Sequence, residues 1–173
     1  TTQQIPFVTT WKTDNPGASA DNQVAIGTNS VWTYSYNVDW GDGNTNTDVT
    51  ESITHTYATA GTYQISITGM YPIAFTKSGD GNKLLSVDQW GDTKWTTMSH
   101  AFFRCSNVRV LANDVPDLEN VTYVTRMFGR ASAMNDDISN WDVSNVKYFE
   151  GMFERATSFN QDISGWDMSS ATD

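Results

Sequence analysis

The sequence predicts a chain in two parts: a small all-β sandwich over residues 1–76, then an α/β stack of repeated units over residues 77–173. Three observations carry that division. Short alternating apolar runs separated by turn residues fill the first part. The second part is similar to itself at a shift of 25 residues, the step from Trp141 to Trp166. Within each repeat the apolar spacing switches from a helical period to a strand period.

In the first part the runs are Phe7-Val-Thr-Thr-Trp11, Val24-Ala-Ile26, Trp32-Thr-Tyr34-Ser-Tyr36-Asn-Val38 and Tyr63-Gln-Ile65-Ser-Ile67. Between them lie Thr13-Asp-Asn-Pro-Gly17, Gly41-Asp-Gly43-Asn and Ala60-Gly61, whose residue types set turn conformations. β-Branched Thr fits a pleated surface, which favours strands over helices throughout this part. Pro72 and Ser78-Gly-Asp-Gly81 interrupt the pattern and mark the seam.

The repeat in the second part is dense. Asn135 falls on Asn160, Asp137 on Asp162, Ile138 on Ile163, Trp141 on Trp166 and Asp142 on Asp167. One period earlier, Met127-Phe128 and Arg130-Ala131 fall on Met152-Phe153 and Arg155-Ala156. A degraded copy places Phe102-Phe103 over Met127-Phe128 and Asp92 over Asp117. Val121, Val124, Met127, Phe128, Ala131 and Met134 are spaced as one face of a helix. Ile138, Trp141, Val143 and Val146 then follow the spacing L-x-x-L-x-L-x-x-L, with Trp141 and Val143 inward on a short strand. One helix and one strand cannot bury their own apolar face, so the copies must stack. The last unit stops at Asp173 in mid-pattern, and the sequence reads as a piece of a longer repeat protein.

Two resemblances sharpen this. The segments MFGRASAMNDDISNWDVSNVKYF and MFERATSFNQDISGWDMSSATD resemble the BspA-type leucine-rich repeats of bacterial surface proteins, whose pattern is MFxxAxxFNxDISxWDVSNV. The likeness covers roughly residues 82–173. VDWGDGNTN followed by ITHTYATAGTYQISITG resembles a PKD-type immunoglobulin-like domain, with Val38-Asp39-Trp40 departing from the family's usual WDFGDG opening. Together they imply an immunoglobulin-like sandwich followed by a leucine-rich-type solenoid of about three 25-residue units, truncated at its C-terminus.

Composition narrows the partners. The formal charge is −10, which repels a phosphate backbone and argues against nucleic acid. No run of about 20 apolar residues exists to cross a membrane. The one cysteine, Cys105, cannot form an internal disulfide and reads as a small buried hydrophobe. Neither His55 nor His100 belongs to a metal-ligand motif. His55 reads as an orienting hydrogen-bond partner, and His100 as a solvent-facing residue of the first solenoid helix. Trp141 and Trp166 read as core, whereas Trp11, Trp32, Trp90 and Trp95 are not fixed by the pattern.

The candidate sites are carboxylates. Asp39-Trp-Gly-Asp42-Gly43 reads first as a tight turn, with a calcium site on Asp39, Asp42 or Asp48 as the alternative. Asp92, Asp117, Asp142 and Asp167 recur as an exposed ladder, one per unit. Strands in a stack lie about 4.8 Å apart, and like charges at about 5 Å cost on the order of 3 kcal/mol at an effective dielectric of 20. Each Asp therefore needs either local amide donors, the favoured reading, or a bridging cation. No paired-carboxylate cleft or nucleophile–base constellation is legible, and no cofactor is implied beyond that calcium alternative. What the resemblances imply is a non-catalytic surface adhesion or recognition module with an extracellular protein or glycan ligand. The alternative is an accessory spacer or polysaccharide-binding module of a larger secreted enzyme.

Overall fold

The computed structural model describes residues 3–28, 32–70 and 79–172. Eight strands form: β1 Phe7–Lys12, β2 Gln23–Ile26, β3 Ser35–Asp39, β4 Thr45–Val49, β5 Ile53–Thr56, β6 Thr62–Met70, β7 Leu84–Gln89 and β8 Arg109–Val110. One sheet has the order β4-β3-β6-β1-β7-β8, and β2 pairs β5 in a second. The alternation read from sequence sets the inward faces: Tyr36 and Val38 of β3, Ile65 and Ile67 of β6, and Val24 and Ile26 of β2 are all buried. The two sheets of residues 3–70 are compatible with the expected sandwich.

The sheet does not stop at the seam. β1 pairs β6 on one side, antiparallel from Phe7↔Ile67 to Lys12↔Thr62, and β7 on the other. β8 then adds to β7 in parallel. Sheet and core therefore run past residue 76, whereas the sequence pattern changes there. Pro72 and Ser78 lie outside the described residues.

The α/β leucine-rich-type solenoid is corrected by the structure. No α-helix forms among the described residues. The run expected as a helix, Val121 to Met134, is a chain of consecutive turns. Met127, Gly129 and Ala131 donate their amides three residues back, to Val124, Arg126 and Phe128 at 2.9–3.0 Å. The intervening Arg126, Phe128 and Arg130 instead donate to Glu150, Met152 and Glu154 of the next repeat at 2.9, 2.9 and 2.7 Å. A helix gives every amide to its own chain four residues back; here every second amide points along the stack. The expected strand at Ile138–Val146 is also made of turns, closed by Trp141 N–H to Ile138 O and Val146 N–H to Val143 O. Consecutive turns bury side chains at nearly the helical spacing, which is why the apolar pattern suggested a helix.

The same ladder fixes the register between repeats. His100, Phe102 and Arg104 donate to Thr125, Met127 and Gly129 at 2.8–2.9 Å. Phe102 stacks on Phe128 (5.3 Å, 10°) and Phe128 on Phe153 (6.0 Å, 7°). Phe102 thus pairs with Phe128, one residue from the register that the sequence suggested. Left-handed backbone recurs in that same register, at His100, Arg126 and Gly151 and again at Arg104, Arg130 and Arg155.

One buried cluster runs from Phe7 to Trp166. Trp90 is its hub, against Phe7 at 5.6 Å, Trp95 at 6.2 Å, Phe102 at 6.1 Å and Trp141 at 5.4 Å. Trp11 and Trp95 are fully buried as well, while Trp32 is about half exposed. Cys105 is buried in the column occupied by Ala131 and Ala156, and burial pushes its thiol up to about 12, so it is an inert apolar filler.

A buried ionic network closes the junction. Asp80 accepts the amides of Ala18 (2.9 Å), Ser19 (3.0 Å) and Ala25 (2.8 Å) and the Ser19 hydroxyl (2.6 Å). Lys83 donates to Ser19 O, Ser19 Oγ, Ala20 O and Gln23 O at 2.8–3.1 Å. Both side chains are fully buried and meet through Ser19 Oγ, and removing either one strands the buried backbone and hydroxyl groups that it satisfies. Asp80→Ala and Lys83→Ala should each cost at least about 1–3 kcal/mol through the buried groups left unsatisfied, and the double variant should cost less than the two losses combined because they share Ser19 Oγ. Denaturant melts check this; a single-variant loss under about 1 kcal/mol would show that the network does not hold the junction.

Candidate functional site

Three surfaces gather the chemistry. The first is the motif W-G-D-G…H-T-Y…A-G-T-Y, which the fold draws into one cluster. Trp40, fully buried, stacks on His55 (4.8 Å, 15°), His55 meets the edge of Tyr57 (4.5 Å), and Tyr57 stacks on Tyr63 (3.7 Å). Burial raises the Tyr57 phenol, which stays protonated and donates to Trp40 O at 3.0 Å. Gly41 takes φ +76° with its α-carbon against β6, where a Cβ would meet Gln64 O at 2.2 Å, so only glycine fits.

Asp39 and Asp42 are bound up in this turn. Asp39 accepts the Gly41 amide at 2.9 Å, and Asp42 accepts the Asn44 amide at 3.0 Å and contacts His55 Nε2 at 2.8 Å. Burial alone would raise the Asp42 carboxyl, but the His55 and Asn44 bonds outweigh it and hold Asp42 below the usual range. Asp48 sits beyond β4's midpoint with φ +54° and donates its amide to Asn37 Oδ1. Among the described residues no group of three His, Cys, Asp or Glu is placed to hold a metal ion. A shallow groove of about 450 Å³ lies beside this turn, lined by hydrogen-bonding side chains that include Asn37, Thr45, Thr47, Ser66 and Thr68.

The second surface is the aspartate ladder. Asp117, Asp142 and Asp167 each accept the amide two residues on, from Glu119 (3.1 Å), Ser144 (3.1 Å) and Ser169 (2.9 Å). Asp142 also takes the Ser144 hydroxyl at 2.6 Å. Asp92 does not share this arrangement: it accepts the Ile5 amide at 3.0 Å, and the residue bridged to Asp117 is Lys94. Asp137 and Asp162 form a sister column, accepting the amides of Ser139 and Ser164 at 2.9 Å each. Other cross-repeat acceptors were not evident from spacing. Asp114 takes the amides of Trp90 and Gly91, Asp136 takes Arg109 and the Val110 amide, and Asn135 takes the Asn160 amide. Their partners lie 23–27 residues away, so only the asparagine pair carried a repeat signal.

The third surface comprises the exposed columns of the turns. Tyr123, about half exposed, bridges Tyr148 and stacks on it at 4.5 Å and 11°. Arg126 pairs with Glu154 at 3.1 Å. His100 is half-buried on a turn rather than on a helix, with Nδ1 2.9 Å from Ser99 Oγ.

Residues 71–173, more than half of the chain, match the model of a family described as "Mycoplasma protein of unknown function, DUF285". No curated protein and no solved structure matches.

The carboxylates set the response to acid. The Lys94 side chain and then the Glu119 amide depress Asp117. Ser144 depresses Asp142, Ser139 Asp137, Ser164 Asp162 and Ser169 Asp167, each through side chain and amide. A depressed folded value contributes stability above the unfolded Asp value of about 3.9, and that stability is lost as pH falls through the folded value. The melting temperature should therefore hold steady down to about pH 5 and drop steadily toward pH 2. A thermal scan across that range checks the sign, and a melting temperature that rises on acidification would contradict it.

Proposed function

Since the chain belongs to the DUF285 family, a family whose description assigns no activity, we propose on its own geometry that it is a non-catalytic recognition module of a bacterial surface protein. The observation that carries this reading is the stacking of exposed side chains in register. Tyr123 lies on Tyr148 in adjacent repeats, held by backbone hydrogen bonds rather than by loops. Rigid, partly exposed aromatics with polar tips are the anchors that interfaces use. The carboxylates that the sequence singles out support the same reading. Asp39, Asp117, Asp142 and Asp167 are engaged as acceptors of local amides. A general acid needs a raised pKa, and Asp117, Asp142 and Asp167 are displaced the other way.

Extracellular placement and a protein or glycan ligand rest on the likeness of the M-F-x-x-A…D-I-S-x-W-D repeat to bacterial surface proteins. The PKD-type reading of residues 1–76 is supported by the Trp40–His55–Tyr57–Tyr63 cluster, which unites the motif residues. The open groove beside Asn37 and Ser66, with both apolar and hydrogen-bonding side chains in its lining, favours a second reading, a polysaccharide-binding accessory of a larger secreted enzyme. Glycan and extracellular-protein arrays probed with the chain, together with a polysaccharide and peptide hydrolysis panel, test both. Binding without turnover is expected, with Tyr123→Ser weakening a ligand of the repeat face by about tenfold. Robust hydrolysis by the isolated chain would overturn the non-catalytic reading.

A further inference from the structure

The chain has 10 Lys and Arg against 20 Asp and Glu, so a cation in it has ample choice of partners. Most take one. Lys12 pairs with Asp14, Lys94 with Asp117, Arg109 with Asp136, and Arg126 with Glu150 and Glu154. Arg104, Arg130 and Arg155 have no ion pair among the described residues, although they stand in one column. Arg104 N–H donates to Gly129 O at 2.8 Å and Arg130 N–H to Glu154 O at 2.7 Å, so the three backbones are neighbours on successive repeats.

Their backbone makes the choice of arginine costly. All three lie in the left-handed region, at φ 62°, 61° and 57°. An L side chain there is strained relative to glycine, and Gly or Asn is the ordinary occupant. The adjacent left-handed column shows the cheaper solution in its third repeat, Gly151. Arginine thus fills the costly position three times, with Arg130 between two like charges, and gains no carboxylate for it. Arg104 lies over the Phe103 ring at 5.4 Å, and the buried Arg130 Nε has no acceptor. Glu154, the nearest acid in sequence, is already engaged by Arg126.

We propose that the Arg104–Arg130–Arg155 column is a binding track for an anionic polysaccharide, one carboxylate or sulfate per arginine. This deepens the recognition reading above and rests on it. Spacing selects the class. Stacked backbones repeat at about 4.7–4.9 Å, whereas same-face side chains of an extended peptide recur at roughly 6.6–6.8 Å, out of step with the column. A nucleic acid carries dense charge along its whole length and would meet the chain's excess carboxylates. A polyuronate or sulfated polysaccharide can carry one anionic group per sugar ring, the one-charge-per-unit pattern that the column offers. The guanidinium fork matches a carboxylate or sulfate through two parallel hydrogen bonds.

The test is a titration of the intact chain with a heparin-derived sulfated oligosaccharide, polygalacturonate, neutral dextran, poly-glutamate and single-stranded DNA. The sulfated or the uronate probe should bind, weakening by about tenfold or more between 50 and 300 mM salt because the contact is ionic. Which of the two binds tells sulfate from carboxylate. Changing all three residues to glycine should abolish that binding without lowering the melting temperature, since glycine suits their backbone. The Arg→Lys triple should bind with intermediate affinity. Undiminished binding by the glycine variant overturns the track, as does tighter binding to poly-glutamate or DNA. If the chain binds only neutral dextran or an array protein, and the glycine variant binds it equally, the track fails while the recognition role stands. Absence of any ligand on both panel and arrays removes both.

Discussion

A backbone amide buried without an acceptor costs about as much as a lost hydrogen bond, and the repeats are built around that constraint. In each turn run, alternate amides close on their own chain and the others need a carbonyl in the neighbouring repeat. The stack therefore cannot be cut into independent units, because alternate amides of one turn run are completed by the next. Left-handed residues at His100, Arg126 and Gly151, and at Arg104, Arg130 and Arg155, occur in the same places of each run. The stacked rings of Phe102, Phe128 and Phe153 follow the same register, since a one-residue slip would leave both the rings and the amides unmatched.

The same logic joins the stack to the sandwich. β1 lies between β6 and β7, so both of its edges are used, and the strand that begins the second half completes the sheet of the first. Trp90, just after β7, packs on Phe7 from one side and on Phe102 and Trp141 from the other. Asp80 and Lys83, just before β7, tie down the loop from Ala18 to Ala25. β7 is thus held at both ends and both edges.

What was legible in the sequence is what repeats or what needs a special backbone. Trp141 and Val143 are buried and Asp142 between them is exposed, as strict alternation requires. Gly41 marked its turn because only glycine fits against Gln64 O. The helix was misread because 3-3-1-3-3 spacing reports which side chains are inward, not where the amides point. Asp92 left the ladder because its partner, Ile5, is 87 residues away and no periodicity relates them. Asp80 read only as part of the seam segment and Lys83 carried no signal, because burial of a charge depends on hydrogen-bond partners 55–64 residues distant. The arginine column was visible as a match of Arg130 to Arg155, but its cost lies in φ, which spacing does not encode.

Acidic and basic columns meet different fates on this scaffold, and the backbone explains the difference. At Asp117, Asp142 and Asp167 the chain turns so that the amide two residues on is free of the ladder, and the carboxylate takes it. Like charges in that column are tolerable because each is held by a donor of its own and solvent screens the rest. At the arginines, neighbouring carbonyls such as Gly129 O and Glu154 O already accept amides from the preceding repeat. A guanidinium there finds no equivalent local acceptor to offset its neighbours. The aspartate column is thus satisfied within the stack while Arg104, Arg130 and Arg155 have no ion pair among the described residues, the contrast on which the proposed track of this chain of charge −10 rests.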